Sequence, residues 1–270
     1  MKAAVNEATR AGEAPARESA DSAAQVQAMF ERIAGIYDLM NTAMTAGLHH
    51  RWRARAADRA ELSAGSRALD VCCGTGDLAI ELRRRCGPGG AVVGADFSER
   101  MLELARQKAA RLGMPEVSFE WADALDLPYE DACFDAVTAG FGVRNLADLQ
   151  RGVDEMSRTL KQGGRLVVLE ITQPRRPPLS WFHGLWFDRI VPRLGALAGD
   201  RDAYTYLPES VKRFPPPEGL AAVMDRAGLE RIRWTLLAGG IIAIHSGVRR
   251  GVHGPVKEEP PGAARQVGQG

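Results

Sequence analysis

Residues 69–77 have the sequence Leu69-Asp70-Val71-Cys72-Cys73-Gly74-Thr75-Gly76-Asp77, and this stretch decides the fold. The apolar run 68–73 predicts a buried strand, and the apolar periodicity of 78–82 predicts the start of a helix. Between them, Gly74 and Gly76 permit left-handed backbone angles and carry no Cβ, so a ligand can contact the main chain beside the positive end of the helix. Counted to the alanine three residues later, the spacing is also that of dinucleotide-binding sites.

The composition excludes several classes of protein. The chain has 270 residues, 45% of them hydrophobic, which is enough for the core of one large domain or two small ones. With 35 Lys and Arg against 34 Asp and Glu, it lacks the basic excess of a protein that binds nucleic acid. Its cysteines fit neither a disulfide framework nor a zinc site, so we expect no metal centre and a reducing, cytoplasmic setting; they are Cys72, Cys73, Cys86 and Cys133.

Both ends of the chain are predicted to be disordered. Residues 1–24 lack the continuous apolar core of a signal peptide, and residues 249–270 have too little apolar content to pack. No segment has the roughly 18 to 20 consecutive apolar residues that span a bilayer, so any membrane contact is expected to be peripheral. A single domain is therefore predicted over residues 25–248.

Two helical segments precede the glycine-rich turn. One apolar stripe is formed by Val26, Met29, Phe30, Ile33 and Tyr37, and a second helical segment extends to residue 62. Stripes of this kind are more often core packing than ligand contacts. Because these segments come before the nucleotide motif, however, they can also form a lid over it, and a helical lid is our prediction for residues 25–62.

Strands and helices alternate after the first strand and helix. Strands are predicted at 91–95, 117–121, 134–139 and 165–171, and helices at 99–112 and 146–160. This alternation predicts an α/β fold with a mostly parallel sheet and helices on both faces. A helix at 218–227 and strands at 229–236 and 240–246 follow. The last two of the seven strands are predicted to form an antiparallel hairpin.

The segment 172–217 interrupts this alternation. It is rich in proline and contains an aromatic cluster at Trp181, Phe182, Trp186 and Phe187. Two interpretations are open: a cap on an apolar substrate pocket, or a satellite hydrophobic cluster that closes one edge of the sheet.

Acidic residues beside the first strands favour one nucleotide over another. Asp96 stands about twenty residues after Gly76, where a carboxylate can accept hydrogen bonds from both ribose hydroxyls of NAD or S-adenosylmethionine. Asp70, just before the glycines, would repel a pyrophosphate but suit a sulfonium or amino group. Asp123, after the third strand, can accept from an adenine amino group. The alternative is that the Asp70 carboxylate has a structural role and supports the turn. This role is compatible with contact to the cofactor.

Four stretches then identify a family. They are the glycine-rich stretch 69–77, Ala95-Asp96-Phe97-Ser98-Glu99-Arg100-Met101-Leu102, Phe141-Gly142-Val143-Arg144-Asn145 and Leu160-Lys161-Gln162-Gly163-Gly164-Arg165-Leu166. Together they resemble the quinone-biosynthesis C-methyltransferases, the demethylmenaquinone methyltransferase family. Ile36-Tyr37-Asp38-Leu39-Met40-Asn41 and the stretch 200–210 support the resemblance, which extends from about residue 26 to residue 247. It implies a Rossmann-like class I methyltransferase fold that uses S-adenosylmethionine.

The resemblance also implies which residues contact this cofactor. They are Thr75, Asp96, Asp123, Ala124 and, by position, Gly140. Gly140 departs from the family pattern, which commonly has serine there, so only its backbone can contact the cofactor. The paired cysteines before Gly74 also replace smaller residues, and we expect them to be buried neutral thiols.

The reaction that the resemblance implies is methyl transfer to a ring carbon of demethylmenaquinol, a polyprenyl naphthoquinol. A ring carbon becomes nucleophilic when an adjacent hydroxyl is deprotonated, so a site must position both substrates and stabilise the phenolate. Arg144 is placed to stabilise the quinolate oxygen and Asn145 to orient it, with Tyr204 as a third candidate. Asp200, His49 and His50 are weaker candidates, the histidines being more often solvated or packing residues.

The substrate's tail and other partners lead to further expectations. Met40, Met44, Trp181, Trp186 and Phe187 can line an apolar groove for the tail, with transient contact at the inner face of the cell membrane. A homodimer is a further expectation. Alternative functions are methylation of a ubiquinone-precursor benzoquinol or of another small aromatic, and an NAD-dependent oxidoreductase. The oxidoreductase needs a hydride-transfer constellation such as Tyr-x-x-x-Lys, which the chain lacks.

Overall fold

The computed structural model describes residues 25–174 and 201–251, with the side chains of all of these except 201–205 and 207. The predictions made for residues 1–24, 175–200 and 252–270 lie outside the described residues. Within the described residues no helix combines the length and the apolar character needed to cross a bilayer.

Seven strands form one sheet in the part of the chain that the structure describes. They are β1 (Arg67–Val71), β2 (Ala91–Asp96), β3 (Val117–Trp121), β4 (Phe134–Gly140), β5 (Leu160–Ile171), β6 (Leu229–Leu237) and β7 (Ile242–Arg249). Their order is β3-β2-β1-β4-β5-β7-β6. The first five are parallel, and β7 pairs antiparallel with both β5 and β6. The predicted seven-stranded α/β sheet with an antiparallel hairpin is confirmed.

Seven α-helices surround this sheet in the described ranges. They are α1 (residues 25–45), α2 (Leu48–Arg59), α3 (Asp77–Cys86), α4 (Glu99–Arg111), α5 (Leu149–Thr159), α6 (Arg201–Arg213) and α7 (Pro217–Arg226). Buried residues of α2, α3 and α4 pack on one face of the sheet, among them Trp52, Leu82 and Leu102. Met156 of α5 and Met224 of α7 pack on the other face, so helices cover both faces as predicted.

The first strand is shorter than its apolar run predicts. β1 ends at Val71, because Cys72 takes a left-handed φ of 55° and starts the turn two residues early. Gly76, with a φ of 82°, ends the turn and precedes α3. A Cβ on Gly76 would lie 2.8 Å from the Phe119 ring of β3, so this glycine also allows the helix to approach the sheet.

The predicted helix at 146–160 differs at both ends. A 3-10 turn, Val143–Asn145, comes first, and α5 begins only after Asp148, whose carboxylate accepts a hydrogen bond from the Arg151 amide at 3.0 Å. At the other end β5 already begins at Leu160, five residues before the predicted strand.

β7 extends one residue past the domain boundary predicted at residue 248. β7 includes Arg249, which pairs with Leu229 of β6. Its guanidinium donates to the carbonyl oxygen of Arg158 at 2.6 Å and to that of Leu160. Arg249 therefore belongs to the folded domain, tied to the end of α5 and the start of β5.

Candidate active site

A cavity lies at the carboxyl ends of β1, β2 and β4, the edge where open α/β sheets bind ligands. Six residues predicted from the sequence line it: Gly74, Asp96, Asp123, Ala124, Gly140 and Asn145. Helix α1 contributes Val26, Phe30 and Tyr37 to the same lining, so the structure brings the predicted lid helix onto the nucleotide motif. Asp70, Thr75, Gly76 and Arg144 are not part of the lining.

Asp96 is the most strongly held acid of the cavity. Its side chain is buried, with one carboxylate oxygen accepting from the Gly74 amide at 2.8 Å and the other from the Ser98 amide at 3.0 Å. Burial raises the pKa of this carboxyl to about 6, and the backbone amides oppose that rise. At neutral pH the group is therefore mostly ionised, and its remaining lone pairs can accept hydrogen bonds from ribose hydroxyls.

The two glycines of the turn have different surroundings. Gly74 lines the cavity, and a Cβ added there would meet no protein atom within 4 Å, which leaves space for a ligand against the main chain. Gly76 instead faces Phe119 in the core. Thr75 between them is buried, and its hydroxyl donates to a carboxylate oxygen of Asp38 in α1 at 2.6 Å. The Thr75 side chain is thus engaged with the lid helix.

Asp70 lies beneath the turn. It is buried in β1, and one carboxylate oxygen accepts from the Thr138 hydroxyl of β4 at 2.6 Å. Its other oxygen has no hydrogen-bond partner among the described residues. Burial raises the pKa of Asp70 to about 7, against the hydrogen bond from Thr138. This position fits the structural role named for Asp70, and its cofactor role stays a prediction.

The cavity's other predicted residues follow β3 and β4. Asp123 is exposed, and one carboxylate oxygen accepts from the Leu125 amide at 2.9 Å, which fixes the turn that also positions Ala124. Gly140 ends β4, and a Cβ there would lie 3.1 Å from Cδ2 of Leu78. Asp123 and Ala124 follow β3 and Gly140 ends β4, and β2 and β1 lie between these two strands, a separation that suits an extended nucleoside ligand.

Arg144 forms a buried ion pair with a residue that the sequence analysis missed. Its guanidinium lies 2.9 Å from the Glu170 carboxylate, and the side chains are 8% and 1% exposed. The same guanidinium donates to the Phe141 carbonyl oxygen, and the Arg144 amide donates to Glu170 at 3.3 Å. Glu170 is the only acid in the apolar strand segment 166–171, and this isolated acid at a carboxyl strand end was the signal that could have found it.

Two polar atoms beside this pair are buried without a hydrogen-bond partner among the described residues. They are Nε of Arg144 and Oδ1 of Asn145. Buried polar groups normally have hydrogen-bond partners. Two unpartnered polar atoms at the carboxyl edge of the sheet therefore fit a site for a polar ligand. Tyr204 lies in α6, but its side chain is not among those that the structure describes. The other predicted residues of this segment lie outside the described residues: Asp200, Trp181, Trp186 and Phe187.

His49 and His50 lie at the start of α2, with Asp77 close by. One ligand atom from each lies within 4.8 Å of the others, a spacing compatible with a metal ion. However, Nδ1 of His49 already contacts the Arg53 guanidinium, and the Asp77 carboxylate binds Lys108 at 2.6 Å and Arg53 at 3.7 Å. Burial and Arg53 lower the pKa of His49 to about 4. His49 is therefore a buried neutral imidazole that packs beside cations.

The paired cysteines are free thiols, Cys73 buried and Cys72 partly buried. Burial raises the pKa of both Cys72 and Cys73 well above the usual range, and the Asp96 charge adds to this rise. Cys72 lines the cavity, and a Cβ on Gly142 would collide with it. Gly142 is therefore the residue that lets the segment after β4 approach the turn.

The strand order, the reversed last strand and a cavity lined by a glycine-rich turn and a buried acid at the end of β2 define a class I methyltransferase. The model of the ubiE/COQ5 methyltransferase family matches residues 18–249. The chain belongs to this family.

Curated relatives match over nearly their whole length. The demethylmenaquinone methyltransferase of Thermus thermophilus is 49% identical over 222 residues, which are 82% of this chain and 100% of that protein. That of Deinococcus radiodurans is 46% identical over 87% of this chain and 97% of its own. The ubiquinone/menaquinone biosynthesis C-methyltransferase UbiE of a Marinomonas species is 39% identical, over 88% and 94%.

Solved structures are similar in fold. A SAM-dependent methyltransferase of Thermotoga maritima, described as a possible histamine N-methyltransferase, has a TM-score of 0.54 at 21% identity and covers 82% of this chain and 98% of its own. A SAM-dependent methyltransferase of Aquifex aeolicus has a TM-score of 0.51 at 19% identity, covering 69% and 83%. At these identities the similarity shows the fold alone.

Proposed function

We propose that this protein is an S-adenosylmethionine-dependent C-methyltransferase that converts demethylmenaquinol to menaquinol. The buried Asp96 carboxylate, held by the Gly74 and Ser98 amides at the floor of the cavity, carries the assignment of a nucleoside cofactor. The choice of acceptor rests on the relatives named demethylmenaquinone methyltransferase.

The lining of the cavity suits this cofactor along its whole length. Asp96 would hold the ribose, Asp123 and Ala124 would contact the adenine, and Gly74 and Gly140 would bring main chain against the methionine half. When bound, S-adenosylmethionine supplies an electrophilic methyl group on a sulfonium. Asp96 would present its charge at the cavity floor, and Asp70 would act from beneath the turn.

The acceptor site is proposed beside the Arg144 and Glu170 pair. The net reaction replaces the hydrogen on the ring carbon by methyl and releases one proton. Arg144, with an unpartnered Nε, would stabilise the negative quinolate oxygen, because a buried cation interacts strongly with an adjacent anion. Asn145 would orient the ring through its unpartnered amide oxygen, and Tyr204 is the third residue proposed at this site.

The polyprenyl tail would leave the site along α1. Met40 and Met44 are partly buried in a small apolar cluster, which α1 forms with α6 through Met29, Ile33 and Val211. A groove between these helices would exclude water from the tail and direct it to the protein surface. The same proposal includes transient contact with the inner face of the cell membrane and an otherwise cytoplasmic location. It also includes a homodimer.

The test is methyl transfer by the purified full-length protein. We expect demethylmenaquinol supplied with S-adenosylmethionine to gain the mass of one methyl substitution. Failure with demethylmenaquinol but methylation of a ubiquinone-precursor benzoquinol would move the assignment to the alternative acceptor. Titration with S-adenosylhomocysteine and with NADH tests the cofactor, since binding of NADH alone would favour the oxidoreductase.

A further inference from the structure

Helix α1 lies across the cavity and is attached to the nucleotide-binding loops at two places. Near its start, the Gln27 side chain donates to the Phe97 carbonyl oxygen at 2.7 Å. One turn later, a Glu31 carboxylate oxygen accepts from the Ser98 hydroxyl at 2.9 Å. Both partners belong to the loop after β2 that also holds Asp96 in place.

The second attachment involves Asp38 and is made of three groups. One oxygen of its carboxylate accepts from the Thr75 hydroxyl at 2.6 Å, and the other lies 2.7 Å from the Lys108 ammonium of α4. Lys108 also binds Thr75 at 3.1 Å and Asp77 at 2.6 Å. The Asp38 side chain is 44% exposed, but Lys108 is 18% exposed and Thr75 is buried. This attachment therefore joins α1 to the glycine-rich turn itself.

Three residues of α1 line the cavity. Val26, Phe30 and Tyr37 are spaced by four and seven residues, which places them on one face of the helix. Phe30 contacts the Phe97 ring edge-on, with centroids 6.3 Å apart, and both residues line the cavity. Tyr37 contacts the Phe30 ring edge-on, with centroids 6.2 Å apart, and directly precedes Asp38, the residue that joins α1 to the glycine-rich turn.

We propose that α1 is part of the cofactor-binding site, with Tyr37 contacting the methionine half of bound S-adenosylmethionine and Asp38 acting as the positioning residue. Asp38 holds Tyr37 over the cavity through Thr75 and Lys108. This inference rests on the proposed use of S-adenosylmethionine. It also assigns a task to Thr75, which does not line the cavity: its hydroxyl attaches α1 to the glycine-rich turn.

The effect on affinity comes from the equilibrium between a form in which α1 is attached to the nucleotide-binding loops and a form in which it is detached. A ligand that binds only the attached form has an apparent Kd equal to its intrinsic Kd divided by the attached fraction. Loss of the Asp38 attachment lowers that fraction, and loss of the Tyr37 ring removes contact area from the ligand. Each change therefore weakens binding, although Asp38 itself does not contact the cofactor.

Binding of S-adenosylhomocysteine to single variants of the full chain tests the proposal. We expect Asp38→Ala and Tyr37→Ala each to raise the Kd by about tenfold or more, as for loss of a charged hydrogen bond or a buried aromatic contact. The matched control is Leu39→Ala, the next residue on the same helix, whose side chain is 69% exposed. Its Kd should stay within about twofold of the wild type.

A double-mutant cycle separates an attachment from general damage. Thr75→Val and Asp38→Ala should be strongly non-additive in their effect on Kd, because either one breaks the same hydrogen bond, and Thr75→Ser should restore wild-type binding. If Asp38→Ala does not fold, Asp38→Leu, which keeps a branched side chain but has no acceptor for the Thr75 hydroxyl, replaces it in the cycle. Additive effects in the cycle would overturn the role of Asp38.

Hydrogen exchange gives a second measurement that does not depend on activity. S-adenosylhomocysteine should slow amide exchange across residues 25–45 in the wild type and much less in Asp38→Ala. Equal Kd values for Asp38→Ala, Tyr37→Ala and Leu39→Ala would overturn the inference while leaving the proposed function intact. A wild-type protein that does not bind S-adenosylhomocysteine would overturn the proposed function, and the inference with it.

Discussion

The guanidinium of Arg144 lies 2.9 Å from the carboxylate of Glu170, and solvent reaches neither side chain to any extent. The pair joins the segment after β4 to the end of β5, two adjacent parallel strands. Burial of two charges is costly unless geometry and further hydrogen bonds compensate, and here the amides of Arg144 and Ile171 also donate to Glu170. The pair therefore fixes the orientation of Arg144 at the proposed acceptor site.

Glu170→Gln is expected to destabilise the protein and slow methyl transfer. Removal of one partner leaves a buried cation uncompensated, which should lower the free energy of unfolding by about 3 kcal/mol. A misplaced guanidinium should also lower kcat by about tenfold or more, because catalysis depends on position. Affinity for S-adenosylhomocysteine should be unchanged. Urea unfolding, single-turnover methyl transfer and calorimetric titration measure the three quantities.

The matched control is Glu103→Gln, which removes a charge from an ion pair with Arg100 whose side chains are both about half exposed. Such pairs contribute roughly 0 to 1 kcal/mol, so this variant should be close to wild type. An effect of Glu170→Gln as small as that of Glu103→Gln would show that the buried pair does not position Arg144.

Asp96→Ala should weaken cofactor binding without unfolding the protein. Loss of a charged acceptor for the ribose hydroxyls is expected to cost about 1.5 to 3 kcal/mol of binding free energy. Titration with S-adenosylhomocysteine measures this, with Asp131→Ala, whose side chain is 70% exposed, as the control. If Asp96→Ala bound with wild-type affinity, Asp96 would be removed from the site.

Asp70 should make stability depend on pH in a definite direction. Its pKa rises from 3.8 to about 7 in the folded protein, so the native state binds more protons than the unfolded chain between these values. The free energy of unfolding should therefore fall as pH increases from about 4 to about 7. A shift of this size corresponds to a cost of up to about 4 kcal/mol for the ionised form above pH 7.

Asp70→Asn removes that cost and keeps an acceptor for Thr138. The variant should be more stable than the wild type at pH 8, with a difference that shrinks as the pH is lowered to 5. Urea unfolding at both values measures it, and Asp225→Asn, on a side chain that is 62% exposed, should show no such trend. A pH-independent difference for Asp70→Asn would contradict the assignment.

Local patterns predicted the sheet and the turn, because the alternation of strands with helices and the spacing of the glycines can be identified from neighbouring residues. The end of β1 at Val71 and the start of α5 after Asp148 were missed because they depend on a backbone angle at Cys72 and on one side-chain cap. Element boundaries of this kind are decided by single residues, which periodicity over a window does not resolve.

Long-range partners in the site could not be predicted from the sequence. Thr75 and Asp38 are 37 residues apart, and Arg144 and Glu170 are 26 apart, and nothing in either local sequence specifies the contact. The resemblance indicated functional roles for Thr75 and Arg144, and the stretch 36–41 only supported the resemblance. Only the fold shows that Thr75 contacts Asp38 of α1 and that Arg144 is paired with a buried glutamate.

Gly140→Ser tests the departure from the family pattern, in which serine is common at this position. A serine hydroxyl at the end of β4 would face the cavity and add a hydrogen bond to the cofactor, worth about 0.5 to 1.5 kcal/mol. The new Cβ would lie 3.1 Å from Cδ2 of Leu78, at the far end of a flexible side chain, so a shift of a few tenths of an ångström accommodates it. We therefore expect Gly140→Ser to bind S-adenosylhomocysteine several-fold more tightly than the wild type. Gly140→Ala has the same Cβ without the hydroxyl and should not gain affinity, so equal affinities of the two variants would mean that this backbone position makes no side-chain contact with the cofactor.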